Sequence, residues 1–287
     1  MYAPSELILN ADGSVFHLHL LPEQISDKII LVGDQNRVDL VASFFDSIEC
    51  RVENREFRTV TGTYKGKRLT VLSTGIGTDN IDIVLTELDA LVNIDLEKRE
   101  DKPERTALTL VRIGTSGGLQ ESVPEGTFVA SEYSLGFDGL INYYADSEKV
   151  IAEDFSEAFI AQTGYSSKFA YPYVVKDSEE LLSRIAADDM VRGVTISAPG
   201  FYGPQGRAIR LPLADAQLND KIIAFNHNGH KITNFEMEGS AIAGLSAMLG
   251  HKALTICLIV ANRFGKRFIG DYKPYMEKLI KIVLDRI

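Results

Sequence analysis

Arg112 stands in an otherwise apolar run, between Val111 and Ile113, and Gly114-Thr115-Ser116-Gly117-Gly118 follows it. A guanidinium in such a run is costly unless it meets an anion. Two arrangements satisfy it. One is a bound oxyanion, with the glycine-rich stretch as a loop whose N–H groups form a nest and whose hydroxyl donates. The other is a buried pair with a carboxylate. The stretch is neither GxGxxG nor a Walker loop, which counts against dinucleotide and NTP binding. A second candidate is Gly33-Asp34-Gln35-Asn36-Arg37. Glycine ends a strand there and arginine falls in the first turn of a helix, so N–H groups and a guanidinium suit an oxyanion; the plain alternative is a turn with a solvated arginine. A third is Thr233-Asn234-Phe235-Glu236-Met237-Glu238. Thr233 and Glu236 fit a capping box, and Glu238 suits the first turn of a helix, but carboxylates at a helix entry also accept hydrogen bonds from sugar hydroxyls. A fourth is the loop from Ser197 to Arg207, where Phe201, Gln205 and Arg207 offer a face and an edge to a planar polar ring, or form an ordinary surface loop.

Periodicity supplies the elements that must hold these residues. Residues 28–33 read as a buried strand ending in glycine, and residues 36–45 as a helix. Residues 57–64 and 68–73 flank Lys65-Gly66 as a hairpin. Residues 79–92 place Ile81, Val84, Leu85, Leu88 and Val92 on one helical face. Residues 97–105, nearly all charged, read as an exposed loop before a strand at 107–113. Strands at 128–131, 191–197 and 253–260 then alternate with helices at 178–187, 215–225, 236–249 and 274–287. This alternation predicts an α/β fold with a parallel or mixed sheet covered on both faces. No linker-like shift in composition divides the chain, so residues 1–287 are expected to form one domain.

The chain has 287 residues, 45% hydrophobic and 24% charged, with a net charge of −10. That composition excludes global disorder, and the acidic balance without a basic stripe argues against nucleic acid. No run approaches the roughly 20 apolar residues of a membrane span. The first ten residues lack the features of a signal peptide. Cys50 and Cys257 are far apart, which suits a reducing compartment, so a cytoplasmic protein is expected. Cys257 lies in an apolar run and reads as a small buried hydrophobe. His19, His227, His230 and His251 have no metal-ligand spacing.

Taken in order, these segments resemble the nucleoside phosphorylase family, and within it the uridine phosphorylase branch. The matching pieces are Val15-Phe16-His17-Leu18, Gly33-Asp34 with Arg37, Arg55-Glu56-Phe57, Ser73-Thr74-Gly75-Ile76-Gly77, Arg112-Ile113-Gly114-Thr115, Phe201-Tyr202 with Gln205 and Arg207, Glu236-Met237-Glu238, and Asn262-Arg263. Each is short; the signal is their shared order. The resemblance implies a three-layer αβα fold around a mixed, partly barrel-like sheet. It implies phosphorolysis of uridine, and of deoxyuridine, as an activity. Gly33, Arg37, Arg112 and Thr115 would bind phosphate, with Arg55 reaching the phosphate of a neighbouring subunit. Met237 and Glu238 would bind ribose, beside Glu236 and Thr115, with His17 coming from the neighbour to the 5′-hydroxyl. Phe201 would stack on uracil, Gln205 and Arg207 would bond its edge, and Val260 and Ala261 would line the same subsite. Arg112, Gln205, Arg207 and Glu238 would carry the catalysis. No cofactor is implied, phosphate being a co-substrate, and the partners are uridine, phosphate and further copies of the chain, as a dimer or hexamer with a shared site.

Two departures stand out. Thr78-Asp79-Asn80 replaces a Gly-Pro-Ser-like stretch that, in many bacterial members, lies near a structural cation at the subunit interface, close to the position of Glu56. Residues 97–105 resemble an insertion, which bears on dimer against hexamer. Purine enzymes of the family carry an aspartate at the position of Ala261 to protonate the base; alanine favours a pyrimidine. A water-using nucleosidase would not need Arg37, Arg55 and Arg112, and a non-catalytic nucleoside-binding protein would not need to keep all three.

Overall fold

The first strand, β1 (Lys28–Val32), is buried on both faces from Ile29 onward, and this sets up the layers. Ile30 and Val32 join one hydrophobic cluster while Ile29 and Leu31 join another on the opposite face, as the two-residue period of a strand requires. The computed structural model describes every residue except Phe264 and Lys266. Helix α1 (Gln35–Ala42) follows β1, capped by Asp34, whose carboxylate accepts the Arg37 N–H. It ends three residues before the expected position 45. An antiparallel run comes next: β2 (Ser47–Asn54), β3 (Phe57–Tyr64) and β4 (Lys67–Ser73). The β3–β4 turn holds Lys65 and Gly66 both at positive φ, 48° and 77°, the geometry of a two-residue hairpin. Helix α2 (Thr78–Asn93) then packs Ile81, Val84, Leu85 and Leu88 on the sheet.

Residues 97–105 are not the plain loop expected. Two short strands, β5 (Ile94–Asp95) and β6 (Glu100–Asp101), pair as a small hairpin. The hairpin clasps the N-terminal residues: Tyr2 donates its N–H to the Arg99 carbonyl and its hydroxyl to Asp101.

The remaining elements are β7 (Thr109–Gly118), β8 (Phe128–Gly136), α3 (Glu153–Thr163), β9 (Tyr173–Lys176), α4 (Glu179–Ile185), β10 (Val191–Ser197), α5 (Leu218–Ala224), β11 (Ile232–Glu236), α6 (Gly239–Leu249), β12 (Lys252–Asn262), β13 (Arg267–Phe268) and α7 (Lys273–Arg286). Strands β1 to β4 and β7 to β13 form one sheet, with order β13-β12-β8-β10-β11-β7-β1-β4-β3-β2 and β9 added to β8. Strand β12 also pairs with β7, so β7, β12, β8, β10 and β11 close into a ring. This is the barrel-like part. Helices α1, α4 and α7 cover one face; α2 and α6 cover the other. Helices α3 and α5 pack Phe155, Phe159 and Ile222 over β9 to β11. The fold is thus a three-layer α/β arrangement on a mixed sheet. Among the described residues no helix is long and apolar enough to cross a membrane.

Candidate active site

Register brings the first two candidate segments together. Val32 of β1 pairs with Ser73 of β4 on one side and Ile113 of β7 on the other. Gly33, Thr74 and Gly114 therefore stand side by side just beyond. Arg37 is held from below by Asp34, whose Oδ2 lies 3.1 Å from its Nη2, and its side chain is 11% exposed.

Residues 114–118 do not form the nest expected of a glycine-rich loop. They are the second half of β7, and their backbone pairs with Cys257–Asn262 of β12. Ladder pairing with β12 engages part of this backbone, and the half-buried Thr115 hydroxyl is a further donor. The glycines serve space instead. A Cβ on Gly114 would lie 1.9 Å from Nη1 of Arg112, so the strand passes the guanidinium only without a side chain there.

Arg112 is buried and meets carboxylates. Nη2 donates to Oε2 of Glu238, and Nη1 lies 3.3 Å from Oε2 of Glu236 and 3.8 Å from the Cys257 sulfur. Burial opposes its charge, but the two carboxylates outweigh this and raise its pKa. One cation faces two buried acids. Burial pushes Glu238 up from the ordinary carboxylate range, and Glu236 adds to this against the pull of Arg112. Oε1 of Glu238 accepts the N–H of Gly77, at the start of α2. Among the described residues Nε of Arg112 has no hydrogen-bond partner, which leaves a buried donor for an anion to satisfy. The Cys257 thiol is pushed up to about 12 by burial and stays a neutral neighbour.

The capping box expected of Thr233 and Glu236 is absent, because both belong to β11 rather than to a helix. Thr233 donates to the Val194 carbonyl. The helix starts at Gly239, not Glu236, since the chain must first turn away from the sheet. Glu236 still caps it: its carboxylate accepts the N–H groups of Glu238 and Gly239 at 2.9 Å. It also accepts the Ser197 hydroxyl. Met237 is half-buried between the two acids.

Ser197 begins the fourth segment, so the loop is tied to Glu236 at its start. At its other end Gln205 is buried, 3% exposed. Its Oε1 accepts from Nη1 of Arg207 at 2.7 Å, and its backbone carbonyl accepts from Arg263. The Arg207 guanidinium lies 3.8 Å from the centroid of Phe201, a half-exposed ring. Burial, with Arg207 nearby, lowers Arg263 to about 10. Val260 is the extra residue of a bulge in β12, between the pairs Ile259–Ser116 and Ala261–Gly117. A cleft of about 980 Å3 opens beside this loop, lined among others by Phe137, Tyr165, Phe169, Tyr202, Arg207 and Leu211. Arg112 and Glu238 are not in its wall, so it adjoins the loop end of the site only.

Residues 27–285 match the model of the phosphorylase superfamily. The chain belongs to the phosphorylase superfamily. A uridine phosphorylase of Thermococcus kodakarensis is 27% identical, over 96% of this chain and 88% of its own. A DeoD-type purine nucleoside phosphorylase of Streptococcus suis is 28% identical over 85% and 84%. The solved structure of a Trypanosoma brucei nucleoside phosphorylase, described as showing uridine phosphorylase activity, is 33% identical with a TM-score of 0.88 over 98% of both chains.

In this phosphorylase, His17 and Arg55 form a separate cluster. The Arg55 guanidinium lies 5.4 Å from the centroid of Phe16, and Asn54 donates to the His17 carbonyl at 2.8 Å. Arg55 sits at positive φ in the β2–β3 turn and is exposed. Among the described residues neither His17 nor Arg55 bonds to Arg112, Thr115, Glu236 or Glu238. Three contributors carried no assigned role in the sequence reading: Gly77, Ser197 and Arg263. Gly77 and Arg263 were visible within matching motifs and Ser197 as the first residue of the fourth segment, without a contact to assign to any of them. Among the described residues no group of three or more His, Cys, Asp and Glu side chains is placed to hold a metal. Glu56 alone does not make a cation cage within one chain.

Proposed function

We propose that this phosphorylase is a uridine phosphorylase, cleaving uridine, and deoxyuridine, with phosphate to uracil and the pentose 1-phosphate. The observation that carries this reading is the base end of the site: Gln205 buried and pinned by Arg207 and Arg263, with Ala261 where a purine enzyme of the family needs an acid. Gly33, Arg37, Arg112 and Thr115 bind the phosphate, and the free Nε of Arg112 supplies one donor. Glu238, fixed by Gly77 and Arg112, accepts from the ribose hydroxyls beside Met237, Glu236 and Thr115. Phosphate attacks C1′ from one face as the glycosidic bond breaks, so holding it in line supplies much of the rate. Negative charge then spreads over the uracil carbonyl oxygens. Arg207 and the amide of Gln205 donate to them, in a setting where such donors are worth more than in water. Phe201 offers its ring to the base, and Val260 and Ala261 close the subsite.

The active unit is a homo-oligomer, dimer or hexamer, with His17 and Arg55 given to the partner's ribose and phosphate. Their clustering on one part of the chain, without bonds to the buried Arg112 group, supports this. The two unpaired cysteines accord with a cytoplasmic setting.

The test is a panel of nucleosides with and without phosphate, followed by release of free base. Uridine should be cleaved far better than inosine, and only with phosphate. A preference for inosine moves the protein to the purine branch; cleavage without phosphate makes it a nucleosidase. For the shared site, Arg55→Ala and Arg112→Lys are each expected to be impaired, and subunit exchange between them should restore part of the activity. No gain despite demonstrated exchange rejects sharing.

A further inference from the structure

Glu87, half-buried on α2, has no part in the chemistry above, yet its carboxylate gathers three donors from one short segment. The backbone N–H of His17 donates to it at 2.9 Å, the N–H of Leu18 at 2.8 Å, and Nδ1 of the His17 ring lies 2.6 Å from Oε1. The side chains of His17 and Glu87 are 28% and 13% exposed, so this is a partly desolvated contact. A carboxylate only accepts. Nδ1 must therefore carry the hydrogen, and in the neutral ring the lone pair is left on Nε2. Among the described residues nothing bonds to Nε2. The ring is further fixed by Phe16, whose centroid lies edge-on at 4.9 Å, and by Asn54 on the His17 carbonyl.

We propose that Glu87 is a positioning residue for the ribose subsite: it locks the His17 ring with Nδ1 protonated and presents Nε2 as an acceptor for the nucleoside 5′-hydroxyl in the partner subunit's site. This rests on the reading of His17 given above. The same logic orients metal-bound and catalytic histidines, whose second nitrogen is set by a carboxylate. A carboxylate that only tied down the chain end would need the two backbone N–H groups and not the ring.

Glu87→Gln separates the two roles. The amide oxygen still accepts from backbone N–H, while the amide nitrogen can now donate to Nδ1 and drive the proton to Nε2. Nitrogen-15 NMR of histidine-labelled wild type should show Nδ1 of His17 protonated, and the variant should show Nε2 protonated. The wild-type spectrum decides the tautomer even if the variant fails to fold. The kcat/KM ratio of uridine over 5′-deoxyuridine, which lacks the hydroxyl, should fall about tenfold in Glu87→Gln, the scale of one net hydrogen bond. His17→Ala should lower the ratio alike, and the double variant no further. Wild-type His17 protonated on Nε2, an unchanged ratio in Glu87→Gln, or additive losses in the double variant each overturn the proposal. Failure of the functional reading is seen separately: the wild type would release no uracil from uridine with phosphate, and the proposal would fall with it.

Discussion

At the scale of the residue, the site turns on one buried cation between two acids. Removing Arg112 outright would strand Glu236 and Glu238 together, a cost to folding of about 3–5 kcal/mol for breaking a buried pair. Arg112→Lys is the sharper test, since it keeps a charge near both acids but loses the planar fork and Nε. A folded enzyme is expected, with kcat/KM for phosphate lowered by about 100-fold or more, the scale of a lost donor in a closed site. Wild-type saturation by phosphate would remove Arg112 from the nucleophile's site. Arg112 was legible because its type conflicts with its apolar neighbours. Its partners were not: Glu236 and Glu238 come far later in the chain, and only strand register brings them near. Of the two open readings of Arg112, the carboxylate pair is present, with Glu236 and Glu238, and the oxyanion reading is what Arg112→Lys tests. Glu87 was illegible because a carboxylate on a helix usually reads as solvated.

At the scale of the element, β7 shows where pattern reading fails. A run of Gly-Thr-Ser-Gly-Gly reads as a loop because glycine weakens a strand. Here β12 runs along the whole of β7 and β11 meets its far end, so pairing overrides propensity. Gly114→Ala tests the reason for the glycine. Its Cβ would fall 1.9 Å from Nη1 and 2.9 Å from Cζ of an arginine pinned by two acids. Loss of stability of about 1–3 kcal/mol is expected from the overpacking, read as a urea midpoint, together with weaker use of phosphate as Arg112 is displaced. A variant with normal stability and rate would show that the guanidinium has room to move. Other elements were legible for clear reasons: β10 and the β3–β4 hairpin carry strong period and turn signals. By contrast β2 is exposed or half-exposed throughout, so no apolar run announces it.

At the scale of the whole molecule, a third buried acid makes stability depend on pH. Asp177 accepts from the Ser134 hydroxyl at 2.7 Å and the Thr255 N–H at 3.1 Å. Burial nevertheless pushes its pKa up to about 8. An unfolded aspartate ionises near 3.9. Between those values the folded state keeps a proton that the unfolded state has lost, so this group's contribution falls as pH rises through that window and levels off above it. Asp177→Asn cannot ionise. Its guanidinium midpoint should change less than that of the wild type between about pH 5 and about pH 8. Parallel curves for the two proteins would mean that Asp177 is ionised in the fold. The layered α/β plan was legible from the alternation of strands and helices. Ring closure entered only through the resemblance to a family, because no local pattern tells β12 to pair with both β7 and β8.

That late pairing has a consequence for how the protein is made. β12 is nearly the last strand in the chain yet lies between two much earlier ones, pairing with residues 109–118 and 128–130. While the nascent chain is still on the ribosome, both strands present open apolar edges, the kind of surface on which chains aggregate. Contacts of such long sequence separation also slow the search for the native state. Synthesis thus leaves the very strand that carries Arg112 without its β12 partner until residues 252–262 have been made.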